Sequence, residues 1–339
     1  MLRATRFAII GYGNIGQRHA RLIRQMESAE LVAVVDTDSD KQAPVKRNED
    51  VPFYNSLEAF FNDGIAADVL NICTPNGYHF DQAYEALSHN YHVLVEKPLT
   101  LTHEACEKLI TQGKTMGKQV FCVLQNRYSP PARWLKQVVN EGVLGKIYLV
   151  EINCYWNRDN RYYQERAWRG TKVLDGGTLF TQFSHFVDLL IWVFGAVKSQ
   201  EGRFFNFNHR HNTEFEDSGI LHLTMHNDAQ VIFTYSTAVW DHNMESSITV
   251  IGEKGSLKIG GQYMDRVEHC HIEGYDMPDI SAVNPPNDYG QFKGSAANHF
   301  YVFDNVVKAL NGESYELARP EEACQSISLI EEVYKSRNC

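Results

Sequence analysis

The segment FAIIGYGNIGQRHARLIRQMESAELVAVVD, residues Phe7–Asp36, decides the fold of the first part of this chain. A short apolar run leads into a glycine-rich turn, a helical pattern follows, and a second apolar run ends at Asp36. In such a unit Gly11 permits the tight turn, Gly13 lets a pyrophosphate approach the backbone, and Gly16 allows close helix–sheet packing. Asp36 stands twenty residues after Gly16, where a carboxylate can accept hydrogen bonds from both ribose hydroxyls. The pattern predicts a Rossmann unit that binds a dinucleotide.

Asp36 also indicates which dinucleotide is bound. A carboxylate at this position would repel the 2′-phosphate of NADP, and no basic residue follows until Lys41. We therefore predict NAD as the cofactor.

Length, composition and charge limit the classes of protein to which the chain can belong. The 339 residues suggest two domains, and 43% hydrophobic with 22% charged residues is typical of a globular protein. A net charge of −10 argues against binding to nucleic acid or to anionic membranes. No apolar run reaches the roughly 18 residues that span a bilayer, and the first strand begins too early to leave room for a signal peptide. Seven cysteines without paired spacing are expected to be reduced thiols in a cytoplasmic protein.

Strand-like apolar runs alternate with helical patterns in the first 124 residues. This alternation predicts a parallel sheet with helices on both faces, whose ligands bind beyond the carboxyl ends of the strands. The expected strands are Phe7–Ile10, Leu31–Val35, Val69–Ile72, His92–Val95 and Val120–Val123, with helices that include Tyr78–Leu87 and Thr102–Met116.

The pattern changes after about residue 125, where strands follow one another directly. This succession predicts a largely antiparallel sheet, one face covered by a helix over Leu174–Phe194 and the other pairing with a second subunit. We expect a long loop over Gly261–Gly290 and closing helices over Asn298–Leu310 and Glu321–Lys335. The predicted domains are 1–124 and 125–339, with the last helices packing back near the first domain. The expected strands of the second sheet are Ile147–Trp156, Ser199–Phe207, Ser218–His226, Gln230–Val239, Ser247–Ile251 and Ser256–Ile259.

Glu96-Lys97-Pro98 follows a predicted strand of the parallel sheet. A lysine there lies beside the expected nicotinamide, where it can exchange a proton with a substrate hydroxyl. Burial and a cationic nicotinamide would both lower its pKa, as a base near neutrality requires. Pro98 can fix the turn as a cis peptide. The alternative is an ordinary surface lysine in a β–α loop.

The predicted helix Leu174–Phe194 carries a polar stripe formed by Thr181, Gln182 and His185. A helix at a domain junction can direct such a stripe into a cleft. The alternative is a core histidine that pairs with Asp188 or with a backbone carbonyl.

Four motifs in order, AIIGYGNIGQRH, CTPNGYH, VEKPL and SHFVDLL, resemble the Gfo/Idh/MocA oxidoreductases, named for glucose–fructose oxidoreductase and inositol dehydrogenase. The resemblance spans nearly the whole chain. It implies an N-terminal Rossmann domain, a C-terminal α/β domain with a large open sheet, and homodimers or homotetramers formed through that sheet. It also implies that Lys97 and His185 are the catalytic residues at the reacting carbon. The residues assigned to the cofactor are Gly11, Gly13, Asn14, Ile15, Gly16, Asp36, Thr74, Asn76, His79, Glu96, Lys97 and Asn126.

The chain departs from the family pattern at one position, and this departure bears on which subgroup it resembles. Many members of the family carry an aspartate four residues before the histidine, where this chain has Thr181, which weakens an assignment to inositol or simple-sugar dehydrogenases. NRYSPP (Asn126–Pro131), AWRG (Ala167–Gly170), DGG (Asp175–Gly177) and QFSHFVDLL (Gln182–Leu190) instead look like the UDP-N-acetylglucosaminuronate 3-dehydrogenases of bacterial surface-polysaccharide synthesis. Those enzymes oxidise the sugar C3 hydroxyl to a ketone, which an aminotransferase then uses.

Arginines and aromatic residues alternate between Tyr155 and Lys172, where five positive and two negative side chains give a local charge of +3. Arginine suits bidentate contact with phosphate or carboxylate, and aromatic rings stack on a base or a sugar face. We therefore expect an acidic sugar nucleotide as substrate; a solvated loop or a subunit contact is the alternative. The sequence does not sort Arg158, Arg161, Arg166 and Arg169 by role. The residues assigned to the substrate are Lys97, Arg158, Tyr163, Trp168, Arg169, Thr181, Gln182 and His185.

Two histidine pairs, His209 with His211 and His269 with His271, lack the further ligands that a metal site needs, and we predict no metal. Two other functions remain open. One is a dehydrogenase of a free sugar, inositol or another polyol. The other is a non-catalytic dinucleotide or sugar sensor, against which the presence of both Lys97 and His185 argues.

Overall fold

The computed structural model describes residues 3–288 and 293–336, and these form two compact units. Unit 1 combines the chain up to Leu124 with His299–Cys324, and unit 2 combines Gln125–Asn298 with the residues from Gln325 onward. Both units are therefore discontinuous in sequence.

Unit 1 is built on a six-stranded parallel sheet with the strand order β3-β2-β1-β4-β5-β6. The central strands are buried almost throughout, which explains their continuous apolar sequence. This is the order of a dinucleotide-binding Rossmann fold, and the prediction of that fold is confirmed. Its elements before residue 124 are β1 (Thr5–Ile10), α1 (Asn14–Arg24), β2 (Ala29–Val35), α2 (Gln42–Asn48), β3 (Phe53–Tyr54), α3 (Leu57–Asp63), β4 (Val69–Ile72), α4 (His79–Ser88), β5 (His92–Val95), α5 (His103–Met116) and β6 (Val120–Cys122).

The N-termini of the unit 1 helices differ in a way that matters for ligand binding. The hydroxyls of Ser56 and Thr102 cap α3 and α5 by accepting hydrogen bonds from backbone N–H groups of the first turn. Helix α1 begins instead after Gly13, which offers no capping side chain, and its first turn contains no acidic residue. The backbone there is suited to an anionic ligand.

Unit 2 is built on a seven-stranded sheet with the order β13-β12-β11-β7-β10-β9-β8. Strands β7 and β10 pair in parallel, whereas the other neighbours are antiparallel, so the prediction of a mainly antiparallel sheet is confirmed. Its elements are α6 (Pro130–Asn140), β7 (Ile147–Tyr155), α7 (Asn160–Gln164), α8 (Thr178–Thr181), α9 (Ser184–Phe194), β8 (Val197–Phe205), β9 (Ser218–Met225), β10 (Gln230–Ser236), β11 (Glu245–Gly252), β12 (Gly255–Gly260), β13 (Arg266–Ile272) and a short pair, β14 (Pro286–Asp288) with β15 (Lys293–Ala296).

The two faces of the seven-stranded sheet differ. On one face, the ring of Trp156 at the end of β7 contacts Phe183 and Phe186, with centroids 5.4 and 5.9 Å apart. The side chains of this face are buried, as the alternation in β10 shows. The opposite face leaves Ile220 and Ile251 half exposed, at 50% and 43%.

Two details of the predicted organisation are wrong. The single helix expected over Leu174–Phe194 is divided into α8 and α9, because the backbone leaves the helical region at Phe183 (φ −117°, ψ 7°). The apolar periodicity runs through this break since residues on both sides enter the same core. The long loop expected over Gly261–Gly290 contains β13 and β14, with residues 289 and 290 outside the described ranges. Strand β13 lies at the sheet edge and is mostly solvent-facing, which hides it from an apolar pattern.

Two helices close the chain, α10 (His299–Leu310) and α11 (Pro320–Lys335). In unit 1 the ring of Phe303 on α10 packs edge-on against Phe7 of β1, 5.4 Å away. Cys106 of α5 and Cys324 of α11 form a disulfide, so the prediction of reduced thiols is wrong for this pair. The spacing could not reveal it, because the two cysteines are 218 residues apart. Within the described ranges, no helix has both the length and the apolar character needed to cross a bilayer.

Candidate active site

The glycine-rich turn of unit 1 has the geometry expected of a phosphate cradle. Gly11 has φ +92°, and its N–H donates to the carbonyl of Val35 over 2.7 Å. A Cβ on Gly16 would lie 2.0 Å from the carbonyl oxygen of Gly11, so the close packing there requires glycine. A Cβ on Gly13 would meet nothing within 4 Å, so this glycine faces open space at the start of α1. These residues fit a bound dinucleotide phosphate, next to Asn14 and Ile15 of the first helical turn.

Asp36, directly after β2, is held in place by backbone groups. Its carboxylate accepts hydrogen bonds from the N–H groups of Tyr12 (2.6 Å) and Asp38 (2.9 Å). The Nζ atom of Lys41 lies 3.6 Å from the same carboxylate. The acid is therefore fixed at the end of β2, where a Rossmann fold meets the adenosine ribose.

The loop after β4 carries Thr74, Asn76 and His79. The hydroxyl of Thr74 donates to the side-chain oxygen of Gln82 over 2.6 Å, and Asn76 is 7% exposed. His79 is fully buried, and its two ring nitrogens lie 2.9 Å from the carbonyl oxygen of Thr74 and 2.8 Å from that of Pro98. Burial lowers the pKa of His79. His79 therefore connects the loop after β4 with the loop after β5.

Glu96, Lys97 and Pro98 follow β5, and the Lys97–Pro98 peptide bond is cis. Lys97 is half-buried, whereas Glu96 is only 6% exposed. The Oε1 atom of Glu96 lies 3.0 Å from Nε2 of His19, and its Oε2 atom accepts the backbone N–H of Lys97 over 3.2 Å. Burial alone would raise the pKa of Glu96, but the hydrogen bond from His19 and the nearby positive charges lower it to about 2. The carboxylate next to Lys97 is therefore ionised at neutral pH.

In unit 2, His185 is the second residue of α9 and is 3% exposed. Its Nε2 atom lies 3.1 Å from the side-chain amide nitrogen of Gln125. One turn later, Asp188 accepts two hydrogen bonds from the guanidinium of Arg127, 2.6 and 2.8 Å long, in a buried ion pair. These contacts fix the start of α9 against the turn that follows β6.

Thr181 and Gln182 lie at the break between α8 and α9. The hydroxyl of Thr181 donates to the buried carboxylate of Asp175, which also accepts the N–H of Gly170 over 2.8 Å. Gln182 accepts from Nε of Arg158 (2.7 Å) with its side-chain oxygen and donates to the hydroxyl of Tyr162 (2.7 Å) with its nitrogen. Both side chains are held in one orientation by these bonds.

Arg158 is the most deeply buried residue of the arginine cluster, with 2% exposure. Its guanidinium lies 4.9 Å from the ring centroid of Trp156 and 5.3 Å from that of Tyr162, and it donates to the carbonyl of Asn157 over 2.6 Å. Burial lowers the pKa of Arg158, because the charged form loses hydration. Tyr163 is also buried, at 7%.

The other arginines have acidic neighbours. Arg161 pairs with Asp159 at 2.6 Å on the surface, and Arg166 lies 3.8 Å from Glu165. Arg169 pairs with Glu165 at 2.7 Å and lies 4.0 Å over the ring of Tyr162. Trp168 is half-buried, 5.8 Å from the Arg169 guanidinium. The side chains of Arg158 and Arg169 are therefore buried, whereas those of Arg161 and Arg166 are 50% and 39% exposed, and the local charge of +3 conceals that difference.

Several polar residues of these sites were missed by sequence reasoning. Asp175 is the first residue of the DGG motif, and its contact with Thr181 was not predicted, because a separation of six residues follows no helical period. Gln125 meets His185 from a turn 60 residues earlier. Asn243 accepts from Arg158 over 3.2 Å. Asn126, assigned to the cofactor, donates to the hydroxyl of Ser295 over 3.4 Å within unit 2. No local pattern signals such long-range contacts.

One histidine of each pair, His209 and His269, contacts a neighbouring polar side chain. Nδ1 of His209 lies 3.1 Å from a carboxylate oxygen of buried Asp217, and Nε2 of His269 lies 3.1 Å from the hydroxyl of Ser256. Burial would raise the pKa of Asp217, but hydrogen bonds from His209, from backbone N–H groups and from Ser218 lower it to about 2. A separate cluster, formed by His19, Glu96 and His299, has ligand-type atoms within 4.8 Å of one another.

Comparisons with protein families and with solved structures both find oxidoreductases. The family model described as "Oxidoreductase family, NAD-binding Rossmann fold" matches residues 5–123, and the "GFO/IDH/MocA C-terminal domain" matches residues 132–258. The chain is similar to the WlbA dehydrogenase of Bordetella pertussis in complex with NADH and UDP-GlcNAcA: 30% identity, TM-score 0.90, 99% of this chain and 97% of the other. The WlbA dehydrogenase of Chromobacterium violaceum, also with NADH and UDP-GlcNAcA, gives 29% identity, TM-score 0.88, and coverage of 100% and 95%.

A further similarity, to a curated protein, covers part of the chain. The D-glucoside 3-dehydrogenase of Escherichia coli is 28% identical over 201 residues, which are 57% of this chain and 56% of that protein. The two family models together match well over half of the chain and cover both units. The chain is an NAD-dependent oxidoreductase of the Gfo/Idh/MocA family.

Proposed function

We propose that the enzyme oxidises the C3 hydroxyl of UDP-N-acetylglucosaminuronate (UDP-GlcNAcA) to a ketone. The observation that carries this proposal is the likeness, over nearly the whole chain, to a dehydrogenase crystallised with NADH and UDP-GlcNAcA. In the oxidation, the C3 carbinol loses a hydride and a proton and becomes a carbonyl.

The chemistry of unit 2 supports an anionic, ring-bearing substrate. Arg158 is a buried cation between aromatic rings, an environment that suits a carboxylate or phosphate beside a planar group. Gln182 fixes its orientation from the turn that precedes His185. We assign Arg158, Gln182 and Thr181 to the substrate site, with Tyr163, Trp168 and Arg169 around them.

Lys97 and His185 are proposed to move the proton. Lys97 takes it from the C3 hydroxyl, and His185 shares or relays it, since both types of side chain serve as general bases near neutral pH. The bound NAD supplies the hydride acceptor. Its site is proposed to comprise the glycine turn, Asn14, Ile15 and Asp36, with Thr74, Asn76, Glu96 and Asn126 toward the nicotinamide end and His79 beneath.

A substrate panel tests the proposal directly. NADH formation is followed at 340 nm with UDP-GlcNAcA, UDP-GlcNAc, free glucosides and inositols, each with NAD. Oxidation of UDP-GlcNAcA with the highest kcat/KM is expected, and identification of the product as a 3-keto sugar completes the assignment. UDP-GlcNAc, which lacks only the acid group, is the matched control for the role of the substrate carboxylate. Faster oxidation of a neutral glucoside would contradict the proposal.

A dehydrogenase of neutral sugars is the second candidate. It is favoured by the similarity to the D-glucoside 3-dehydrogenase of Escherichia coli. The same panel separates the two, because a buried guanidinium favours an anionic substrate over a neutral one. Stoichiometric NAD binding without turnover on any member of the panel would instead indicate a sensor.

We also propose that the exposed face of the seven-stranded sheet forms a homodimer or homotetramer contact. Ile220 and Ile251 are half exposed on this face, and a contact would remove their apolar surface from water. Light scattering after chromatography tests this: Ile220→Lys is expected to reduce the molar mass, whereas Tyr315→Lys, at another exposed residue, is not.

A further inference from the structure

Unit 1 contains a buried cluster around Glu96, the residue before Lys97, to which the proposed proton transfer assigns no role. It consists of His19 on α1, Glu96 after β5 and His299 at the start of α10, which we call the carboxylate triad. Their exposures are 0%, 6% and 2%. The Oε1 atom of Glu96 lies 3.0 Å from Nε2 of His19 and 3.7 Å from Nε2 of His299. One carboxylate oxygen thus lies between two imidazoles that come from distant parts of the chain.

The other ring nitrogen of His19 also has polar neighbours. The Nδ1 atom is 2.9 Å from the side-chain amide nitrogen of Asn71 and 3.2 Å from Sγ of Cys73. Burial raises the pKa of the Cys73 thiol, so the sulfur keeps its proton and can donate it. In the tautomer whose Nδ1 atom accepts from these neighbours, the ring proton is on Nε2, the atom that lies 3.0 Å from the Glu96 carboxylate.

Glu96 is linked to Lys97 in two ways. Its second oxygen accepts the backbone N–H of Lys97, and its negative charge acts on the Lys97 ammonium group. Lys97 also has an electrostatic effect on His79 of α4 and on His299 of α10. Burial lowers the pKa of both histidines, that of His299 to about 3, and Arg18 of α1 acts on His299 in the same direction. Among Glu96, His79 and His299, the glutamate is therefore the group that carries a charge at neutral pH.

We propose that the carboxylate triad is a positioning element for Lys97: it fixes the Glu96 carboxylate at the backbone N–H of Lys97 and so sets the pH at which the Lys97 side chain releases its proton. The negative charge favours the ammonium form and opposes the effect of burial. Lys97 then keeps its proton at a pH where an isolated buried lysine would lose it. The acid–base role of Lys97 in this inference rests on the proposed function; the electrostatic coupling does not.

Glu96→Gln removes the charge and keeps the shape of the side chain. The test measures the titration of Lys97 by competitive acetylation with acetic anhydride across a pH series, with the Lys97 peptide quantified by mass spectrometry. This measurement needs no substrate. The midpoint for Lys97 is expected to fall by about one pH unit or more in Glu96→Gln, since an opposite charge at close range shifts a pKa by about 1–3 units. Glu96→Asp, which keeps the charge, is expected to retain most of the wild-type value.

Glu104→Gln is the matched control, because Glu104 is an exposed carboxylate of unit 1 that pairs with Lys108. It is expected to leave the Lys97 midpoint unchanged. An unchanged midpoint in Glu96→Gln would overturn the inference. So would a stoichiometric metal ion in the purified protein that is lost in His299→Gln, because Glu96 would then be a metal ligand.

A second measurement keeps the test decisive if Glu96→Gln does not fold. In wild-type protein labelled with ¹³C at the glutamate carboxyl carbons, the Glu96 signal, assigned with Glu96→Asp, is expected to remain that of a carboxylate throughout the neutral range. Titration of that signal near neutral pH would overturn the inference. In sugar oxidation, Glu96→Gln is expected to move the acid limb of the kcat–pH profile downward by the same interval as the labelling midpoint. Absence of turnover in the wild type would affect the proposed substrate and leave the labelling result intact.

Discussion

The proposed ligand sites of the two units are built by different means. Unit 1 forms its proposed phosphate site from backbone: three glycines, an uncapped helix start and a strand end fixed by main-chain hydrogen bonds. Unit 2 presents side chains that hold one another, such as Arg158, Gln182 and Tyr162. Backbone recognition constrains local sequence, because only glycine fits where a Cβ would collide. Side-chain recognition constrains contacts between distant residues and leaves little local trace.

The largest expected effect separates catalysis from cofactor binding. Lys97→Ala is expected to lower kcat about 10³-fold, within the range of about 10²–10⁴ for loss of a general acid–base, with an unchanged Kd for NAD. His185→Ala in unit 2 is expected to act in the same way. Stopped-flow NADH formation and titration calorimetry with NAD measure the two quantities. Lys108→Ala, at an exposed lysine of the same unit, is the control, and near-normal turnover in both active-site variants would refute their roles.

The next effect compares two arginines of unit 2. Arg158→Leu is expected to lower kcat/KM for UDP-GlcNAcA about 100-fold, because loss of a buried charge-assisted contact costs about 2–3 kcal/mol. Arg161→Leu, at a solvent-exposed ion pair, is expected to change it less than about threefold. Steady-state kinetics and thermal unfolding together measure binding and fold. Equal effects of the two variants would show that burial does not distinguish the cluster members.

A pair of glycine substitutions sharpens the description of unit 1. Gly16→Ala places a methyl group 2.0 Å from a carbonyl oxygen and is expected to lower stability by about 1–3 kcal/mol, as overpacking does. Gly13→Ala places the methyl group in open space, so stability is expected to hold while the Kd for NAD rises. Chemical denaturation and calorimetry distinguish the two outcomes. Equal NAD affinity in Gly13→Ala and wild type would argue against a phosphate at this turn.

The smallest effect concerns unit 2 at acid pH. The pKa of Asp217 is lowered from its usual value of 3.8 to about 2, so its contribution to stability is fully present well above pH 4 and is lost as the pH falls through 4 toward 2. The shift corresponds to about 2 kcal/mol. Asp217→Asn is expected to remove this contribution and to reduce the pH dependence of the free energy of unfolding between pH 4 and 2. Urea denaturation at several pH values measures this free energy. If its dependence on pH is the same in Asp217→Asn and in wild type, the assignment is contradicted.

The comparison also explains what could be predicted from sequence. The Rossmann fold, the NAD cofactor and the two sheet types follow from glycine spacing and from strand periodicity, which are local. The break between α8 and α9 was missed because buried residues continue on both sides of Phe183. The pairing of Thr181 with Asp175, and of His185 with Gln125, was missed because neither follows a helical period. The position of Lys97 just after a strand was predicted. The position of His185 near the start of α9 was not, because the sequence predicts one continuous helix over Leu174–Phe194.

The return of the chain to unit 1 has a consequence for biosynthesis. Phe303 is fully buried against Phe7 and lies 5.0 Å from the ring of His19, so the nucleotide-binding sheet depends on residues made near the end of translation. In a nascent chain of 124 residues, the rings of Phe7 and His19 would lack the contact with Phe303. Strand β1 therefore completes its packing only after α10 has been synthesised. A fragment that consists of the first 124 residues alone is expected to aggregate.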